Sequence, residues 1–349
     1  MQSRIDRLLK SLNKDGCVLI SSFYNIFYYS GFTSEDAYLL ITSSKKFIIT
    51  DSRYFVQAKL ESPDFELIDI AKGWGYIFEN ICEDMIFFEE NHLTYGNYEF
   101  ISQKAENKEF IPSQAEIDKP RQIKDELELK TIAEAEKIGD MAFSHILDIL
   151  HQGMSEREVA FELEMYMKKK GATALSFETI AASGVRSAMP HGVASDKIIK
   201  KGDLLTLDFG CVYKGYCSDM TRTVVIGAPD EKQKEIYEIV LKAQTEALLA
   251  LKPGIECKEV DAIARKYIAD SGYGKNFGHA LGHSVGIQIH ETPVFSPKSN
   301  DTLQNGNVLS VEPGIYIDGW GGVRIEDLIA VSEGEIINLT KSPKELIVI

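Results

Sequence analysis

The chain has 349 residues, 44% of them hydrophobic and 26% charged, which is typical of a globular protein of about two domains. The formal net charge of −15, without a basic stripe, argues against binding to nucleic acid or to an anionic membrane surface. Five cysteines without CxxC spacing favour reduced thiols and a cytoplasmic protein, and neither a signal-peptide core nor a membrane span is predicted.

The first 120 residues alternate helical and extended patterns. Apolar residues at helical spacing predict helices, and short apolar runs bounded by polar turns predict strands. The predicted helices cover residues 3–13, 53–60, 74–82 and 97–107, and the predicted strands cover 17–22, 37–41, 47–50, 65–70 and 85–89. Because the strands are separated by helices, we expect an α/β layer domain over residues 1–120.

A second domain is predicted over residues 121–349, after a polar stretch at 113–119 that we interpret as a linker. Its periodic segments form helix pairs, each followed by extended segments. The predicted helices cover 124–150, 155–170, 230–251 and 257–271, and the predicted strands cover 177–183, 204–209, 219–226, 308–311, 315–317 and 325–331. Since two helices followed by strands occur twice, over 124–226 and 230–331, the pattern indicates an internal duplication.

Residues 278–291 hold three histidines within twelve residues, interleaved with glycines: His279, His283 and His290. Imidazole is a common metal ligand and a proton carrier near neutral pH, and glycine lets backbone and ligand approach closely. A single histidine is better explained as a partly buried, hydrogen-bonded residue. Three together, with acids in special contexts elsewhere in the chain, predict an active site or metal site.

Two pairs of acidic residues complete this predicted site. Asp208 ends an apolar strand and Asp219 follows a Tyr/Gly-rich connection, so a hairpin would place them side by side. Glu312 and Glu326 repeat the arrangement after the histidines. Each acid alone has a structural explanation, as a turn cap or a solvated strand residue, but paired carboxylates repel unless a cation lies between them. Such a set suits a pair of divalent ions, manganese or cobalt first, with zinc or iron as alternatives.

These motifs, in their order along residues 183–327, resemble those of the Xaa-Pro peptidases, aminopeptidase P and prolidase, of the pita-bread-fold metallopeptidases. Residues 25–32 and 51–54 resemble the smaller domain of the same family, and the resemblance covers essentially the whole chain. It implies an α+β protein in which an N-terminal creatinase-like α/β domain precedes a pita-bread catalytic domain. It also implies a homodimer, as is common in that family.

Carried over residue by residue, the resemblance implies five metal ligands: Asp208, Asp219, His283, Glu312 and Glu326. In the family pattern, Asp208 binds one ion, and His283 and Glu312 bind the other. Asp219 and Glu326 then bridge the two ions. Ser284 departs from the pattern, in which glycine often follows the metal-binding histidine, and this puts the backbone geometry beside His283 in question.

The resemblance also implies the catalytic and substrate-binding residues. Catalysis is assigned to His191 and His290, which act in proton transfer and on the scissile carbonyl or its oxyanion, and to Glu312, which passes a proton to the leaving nitrogen. The implied substrate-binding residues are His191, His279, His290, Tyr316 and Arg324. The implied substrates are proline-containing peptides.

The implied reaction is hydrolysis of the bond between an N-terminal residue and a following proline. Some prolidases of the resembling family carry a basic residue shortly after the His-Glu pair, which suits the free carboxylate of a dipeptide. The neutral residues at 292–295 therefore favour an aminopeptidase over the alternative, a dipeptidase. Two other kinds of protein share the fold: creatinase, which works without metal, and non-catalytic binding proteins. The complete ligand set and the acidic charge disfavour both.

Overall fold

The computed structural model describes residues 2–12 and 15–349, and the chain divides into two compact units, Met1–Arg121 and Gln122–Ile349. The predicted domain boundary after residue 120 lies one residue from this division. The last residue of the predicted helix 3–13 falls outside the described residues. Among the described residues, no helix is both long enough and apolar enough to cross a membrane.

The first unit is a mixed sheet with helices packed on it. Its strands are β1 (Cys17–Ile20), β2 (Ala37–Ile41), β3 (Lys46–Thr50), β4 (Glu66–Asp69), β5 (Met85–Phe88) and β6 (Glu109–Pro112), in the order β4-β3-β2-β1-β5-β6. Its helices are α1 (Gln2–Ser11), α2 (Phe23–Ser30), α3 (Phe55–Glu61), α4 (Trp74–Glu79), α5 (Tyr95–Ser102) and α6 (Gln114–Gln122). β1 runs parallel to β5 and antiparallel to β2, as expected for an α/β layer with a hairpin at one side.

Within the stretch interpreted as a linker, 113–119, residues 114–119 are helical instead and belong to α6. Pro120 lies inside this helix and has no N–H to donate to the carbonyl of Glu116. The hydroxyl of Ser11 replaces that donor, at 3.0 Å from the Glu116 carbonyl oxygen. The linker prediction was wrong because the group that completes this helix comes from 105 residues earlier in the chain.

The second unit contains two helix pairs and the sheets on which they pack. The helices are α7 (Glu126–Ile149), α8 (Glu156–Lys169), α9 (Glu231–Ala250) and α10 (Cys257–Asp270). The strands of its first half are β7 (Ala174–Leu175), β8 (Ile180–Ser183), β9 (Leu204–Phe209), β10 (Cys211–Tyr213), β11 (Tyr216–Cys217) and β12 (Met220–Val225). Those of its second half are β13 (Gly282–Ser284), β14 (Glu291–Phe295), β15 (Val308–Val311), β16 (Gly314–Ile317), β17 (Gly321–Arg324), β18 (Asp327–Ser332), β19 (Glu335–Asn338) and β20 (Ile347–Val348).

Each half has its own sheet and its own hydrophobic core. One sheet has the order β20-β12-β9-β8, and the other has the order β14-β13-β15-β18-β19. Phe143 of α7, Leu163 of α8 and Leu207 of β9 are buried in one core, whereas Val240 of α9 and Leu309 of β15 are buried in the other. This arrangement agrees with the duplication that the sequence pattern indicates. Asp208 lies on β9 of one sheet and His283 on β13 of the other, and most of the other predicted site residues lie at or beside strand ends.

Candidate metal centre and active site

The first acidic pair comes from β9 and from the residue before β12. These strands are antiparallel, and Asp208 lies opposite Thr221, so Asp219 is not directly across from it as a simple hairpin would require. The connection between them forms β10 and β11, which belong to another sheet. The two side chains still converge, because oxygens of Asp208, Asp219 and Glu326 all lie within 4.8 Å of one another.

The second acidic pair comes from the ends of β15 and β18. Glu312 directly follows β15, and Glu326 lies in the break between β17 and β18 rather than inside the continuous strand predicted at 325–331. Thr221 connects this pair to the first half of the unit. Its carbonyl accepts a hydrogen bond from the N–H of Glu326 at 3.1 Å, and its hydroxyl donates to Oε2 of Glu326 at 2.7 Å.

The converging acids leave buried oxygens that need a cation. Within the described part of the chain, Oδ1 of Asp208 and Oε1 of Glu326 are buried and accept no hydrogen bond. Burial raises the pKa of Asp219 and of Glu326 well above the usual range, and the neighbouring acids raise both further. Burial also raises the pKa of Glu312. Because a divalent ion with oxygen ligands would satisfy the free oxygens and offset this repulsion, the residues present fit a metal.

His283 completes the donor set from β13. Its Nε2 lies 3.5 Å from Oδ2 of Asp219 and 3.4 Å from Oε1 of Glu312. Its Nδ1 lies 3.2 Å from the carbonyl of Ser284, which can only accept, so Nδ1 carries the proton and the Nε2 lone pair faces the acids. Burial lowers the pKa of His283, which keeps the ring neutral as a metal ligand must be.

The backbone around His283 tolerates the serine that departs from the family pattern. Ser284 is fully buried and is the last residue of β13, with a register shift between it and His283. The close approach falls on the other side of the histidine, at Gly282, where a Cβ would lie 2.0 Å from the carbonyl oxygen of Ser310. A glycine is therefore required at position 282, and the strand forms with serine at 284.

Arg324, Tyr316 and His279 form a hydrogen-bonded chain beside the acids. Nη1 of Arg324 donates to Oη of Tyr316 at 2.8 Å, and another nitrogen of Arg324 donates to Asp208. Nδ1 of His279 lies 2.7 Å from the carbonyl of Ala280 and so carries the proton, which leaves Nε2 to accept from the Tyr316 hydroxyl at 2.9 Å. Burial lowers the pKa of His279 and raises that of Tyr316 to about 12, so both stay neutral.

A cavity of about 390 Å³ opens over these groups. All the residues predicted for the site line it except Tyr316, which contacts His279 and Arg324. The rings of His283 and His290 lie 4.4 Å apart at an angle of 70°. Burial lowers the pKa of His290, and the charges of His283 and His191 lower it further.

The cavity also has apolar lining residues that were not predicted. They are Phe177, Ile180, Pro190, Val193 and Ile289. Pro190 and Ile289 are adjacent in the sequence to the predicted residues His191 and His290, and this adjacency could have identified them as lining residues. Glu178 also lines the cavity and is exposed. Among the described lining residues Arg324 is the cation, and it is already bonded to Asp208.

Two buried residues that the sequence patterns did not single out hold the acids in place. Glu136 of α7 is fully buried and accepts from the N–H of Asp219 at 3.2 Å, and burial raises its pKa to about 8. Arg222 of β12 forms an ion pair with Asp327 at 2.8 Å and donates to the carbonyl of Glu326. Glu136 thus holds the backbone N–H of Asp219, and Arg222 holds the backbone carbonyl of Glu326.

Comparison with known proteins gives matches over both units. The model of metallopeptidase family M24 matches residues 130–333, and that of the creatinase/prolidase N-terminal domain matches residues 4–123. The chain is 42% identical to the Xaa-Pro dipeptidase of Pyrococcus horikoshii over 352 residues, covering 99% of each chain.

Solved structures give the same result. The Xaa-Pro dipeptidase from Bacillus anthracis has a TM-score of 0.96 at 44% identity, covering 100% of this chain and 99% of that one. The X-Pro aminopeptidase from Thermotoga maritima has a TM-score of 0.89 at 38% identity, covering 97% and 100%. These similarities confirm the predicted fold, a creatinase-like domain followed by a pita-bread catalytic domain.

Proposed function

Because the chain belongs to metallopeptidase family M24, we propose that it is an Xaa-Pro dipeptidase, which separates the first residue of a dipeptide from the following proline. Membership of the family confirms the class of enzyme predicted from the sequence, a metallo-exopeptidase. The specificity that the sequence favoured, that of an aminopeptidase, agrees less well with the relatives than its alternative does, since the relatives at 41–44% identity include several named as dipeptidases or prolidases.

The observation that carries this proposal is the position of the acids in the wall of the cavity. Asp208 and Glu326, each with a buried carboxylate oxygen that accepts no hydrogen bond, line a cavity that Phe177 and Ile180 also line. A site that holds a cation and also has apolar lining residues suits a substrate with a polar peptide bond and a compact apolar ring, as Xaa-Pro has. A cavity of about 390 Å³ is near the small end of ligand sites, which favours a dipeptide.

We propose that two divalent ions occupy the site, manganese first, with cobalt, zinc or iron as alternatives. They would be held by the five residues taken over from the family pattern: Asp208, Asp219, His283, Glu312 and Glu326. When bound, such ions supply Lewis acidity and a water that is acidic enough to react near neutral pH. The oxygen-rich donor set with one neutral imidazole is the chemical basis of this choice.

The protein's own groups act around the substrate. His290 faces the cavity beside His283 and is placed to stabilise the oxyanion of the attacked carbonyl by a hydrogen bond. Glu312 would pass a proton to the leaving proline nitrogen, with His191 assisting. His279 is held neutral by Tyr316 and Arg324 and contacts the substrate as a fixed polar group.

An Xaa-Pro aminopeptidase is the second candidate, and one observation favours it. The described residues that line the cavity include no lysine, and Arg324 is bonded to Asp208, so no unpaired cation of this wall awaits the free carboxylate of a dipeptide. The X-Pro aminopeptidase from Thermotoga maritima is also a structural relative.

Hydrolysis of Leu-Pro and of Leu-Pro-Gly, with manganese added, separates the two specificities. We expect kcat/KM to be at least tenfold higher for the dipeptide, with Leu-Gly as the control that lacks proline. A higher value for the tripeptide would make the enzyme an aminopeptidase. If neither proline peptide is cleaved by the metal-loaded protein, the Xaa-Pro specificity itself is wrong.

We also propose a cytoplasmic homodimer that acts on proline-containing peptides and binds neither nucleic acid nor membranes. The cysteines are free and mostly buried, as in a reducing compartment, and the charge of −15 opposes binding to polyanions. The domain bounds that we propose are 1–120 for the creatinase-like domain and 121–349 for the catalytic domain. Gel filtration with light scattering tests the dimer.

A further inference from the structure

A buried ion pair lies behind the turn that carries His290. Nζ of Lys124 is 3.0 Å from Oε2 of Glu291, and the two side chains are 1% and 4% exposed. Lys124 precedes α7, and Glu291 is the first residue of β14, directly after His290. Neither residue lines the cavity or belongs to the proposed metal ligands.

The turn between β13 and β14 wraps around the Glu291 carboxylate. Oε1 of Glu291 accepts from the N–H of Gln288 at 3.2 Å, and the N–H of Gly286 donates to the carbonyl of Gln288 at 3.0 Å. A Cβ at position 286 would lie 2.5 Å from Oε2 of Glu291, so only glycine allows the backbone to come this close. The carboxylate is therefore the internal acceptor around which the turn is built.

Lys124 is also held in place by hydrogen bonds of its backbone and of its neighbour Gln122. Its backbone N–H donates to the carbonyl of Gly306 at 2.8 Å, and the nearby Gln122 side chain donates to the hydroxyl of Thr292 at 2.7 Å. The segment 122–124 thus holds β14 at its first two residues. The turn cannot shift without separating a buried ammonium from a buried carboxylate.

Such a pair is poorly explained as a source of stability. Removing two charges from water is costly, and apolar replacements of buried pairs are often neutral or stabilising. A fixed geometry is the property that an ion pair supplies and an apolar contact does not. The group whose position depends most directly on this geometry is His290, the neighbour of Glu291.

We propose that Lys124, acting through Glu291, is a positioning residue that holds His290 in place beside the substrate. This inference rests on the proposed function, in which His290 stabilises the oxyanion. It assigns the pair to the rate of the chemical step rather than to metal binding, because His283 lies on β13 beyond the turn. Displacing a catalytic group by about 1 Å can cost 10²-fold in rate.

The test uses Lys124→Met and the double variant Lys124→Met/Glu291→Gln in the full-length, manganese-loaded protein. The single variant leaves a buried carboxylate without its cation and is expected to unfold more easily. The double variant removes both charges of the pair, and its new side-chain amide keeps an oxygen for the N–H of Gln288. It therefore loses the ion pair to Lys124 but keeps the turn and the hydrogen bond between Gln122 and Thr292. We expect the double variant to fold and to bind manganese as the wild type does. Its kcat on Leu-Pro should be about 10- to 100-fold lower, with KM changed less than twofold.

A matched control is available on α7, the helix that follows Lys124. Lys130 and Glu126 form an exposed pair at 2.7 Å, with side chains 70% and 84% exposed, and Lys130→Met should leave kcat unchanged. The inference is overturned if the double variant turns over at the wild-type rate, or if its kcat falls only in proportion to a loss of manganese or of folded protein. Absence of turnover by the wild-type protein would instead refute the proposed function.

Discussion

Replacing Asp219 by asparagine tests the electrostatics of the metal-free centre. Oxygens of Asp208, Asp219 and Glu326 lie within 4.8 Å of one another. Two unit charges at that distance repel by about 3.5 kcal/mol when the effective dielectric constant is about 20. The wild type relieves part of this repulsion by keeping protons on the cluster, as the raised pKa of Asp219 and of Glu326 indicates. We therefore expect Asp219→Asn to raise the free energy of unfolding of the metal-free protein by about 1–3 kcal/mol.

The same reasoning fixes the sign of the pH dependence. The folded metal-free protein keeps protons on Asp219 and Glu326 at pH values where the unfolded chain has lost them. The folded state then binds more protons than the unfolded state, so stability falls as pH rises above about 4. In Asp219→Asn one of the two groups no longer titrates, and the decline should be shallower.

Thermal unfolding followed by circular dichroism measures both effects. In a chelator, Asp219→Asn should melt above the wild type, by roughly 2–4 °C for each kcal/mol. With excess manganese the order should reverse, because the wild type is stabilised by the ion it binds and the variant has lost a ligand. Asp318→Asn, which changes an exposed acid, is the control. If Asp219→Asn lowers the melting temperature equally in chelator and in manganese, repulsion among the acids does not limit the stability of the metal-free protein.

Three further substitutions test separate parts of the site. His283→Ala should lose bound metal, whereas His290→Ala should keep the metal and lower kcat about 10²–10³-fold, because it removes one donor to the oxyanion. Metal analysis of the dialysed proteins, together with kcat, distinguishes the two effects. Loss of metal from both variants would contradict the assignment. Glu178→Gln should reduce the preference for Lys-Pro over Leu-Pro roughly two- to fivefold in a competition assay, because an exposed ion pair between Glu178 and the substrate lysine contributes little more than this. An unchanged preference would mean that Glu178 does not face the substrate. Arg222→Met should lower the free energy of urea unfolding by about 3–5 kcal/mol, because it leaves the buried Asp327 with Lys344 as its cation and removes the donor to the carbonyls of Glu326 and Ser342. A loss below about 1 kcal/mol would show that Arg222 is dispensable.

Elements whose sequence pattern is local could be predicted well. The helices expected at 230–251 and 257–271 are α9 (Glu231–Ala250) and α10 (Cys257–Asp270), because regular apolar spacing and the intervening Pro-Gly are properties of the segment itself. The α6 helix was missed because it depends on the hydroxyl of Ser11, which supplies the donor that Pro120 lacks. No local pattern reports a partner of this kind.

Some residues of the candidate site could likewise be predicted from local sequence, and others could not. Asp208 and Glu312 stand at or directly after the end of apolar strands, a position that marks an acid as unusual in the sequence alone. Glu136 lies in a run of acidic and basic residues on α7 that is typical of a solvated helix face, yet it is fully buried against Asp219. Lys124 and Glu291 are separated by 167 residues, so only the fold brings them together. Supporting residues of this kind are defined by tertiary contact rather than by local sequence.

The four acids of the site come from both halves of the catalytic unit. Asp208 and Asp219 belong to the first half, and Glu312 and Glu326 belong to the second. The hydroxyl of Thr221 in the first half donates a hydrogen bond to Glu326 in the second. An ion bound among these acids therefore joins two pieces of protein that each have a hydrophobic core of their own. If the chain were cut at 227–229, between β12 and α9, the ion would become the shared ligand of a two-fragment complex, and mass action would make reassembly depend on metal concentration. A split form of the enzyme would then report free metal through the recombination of its halves.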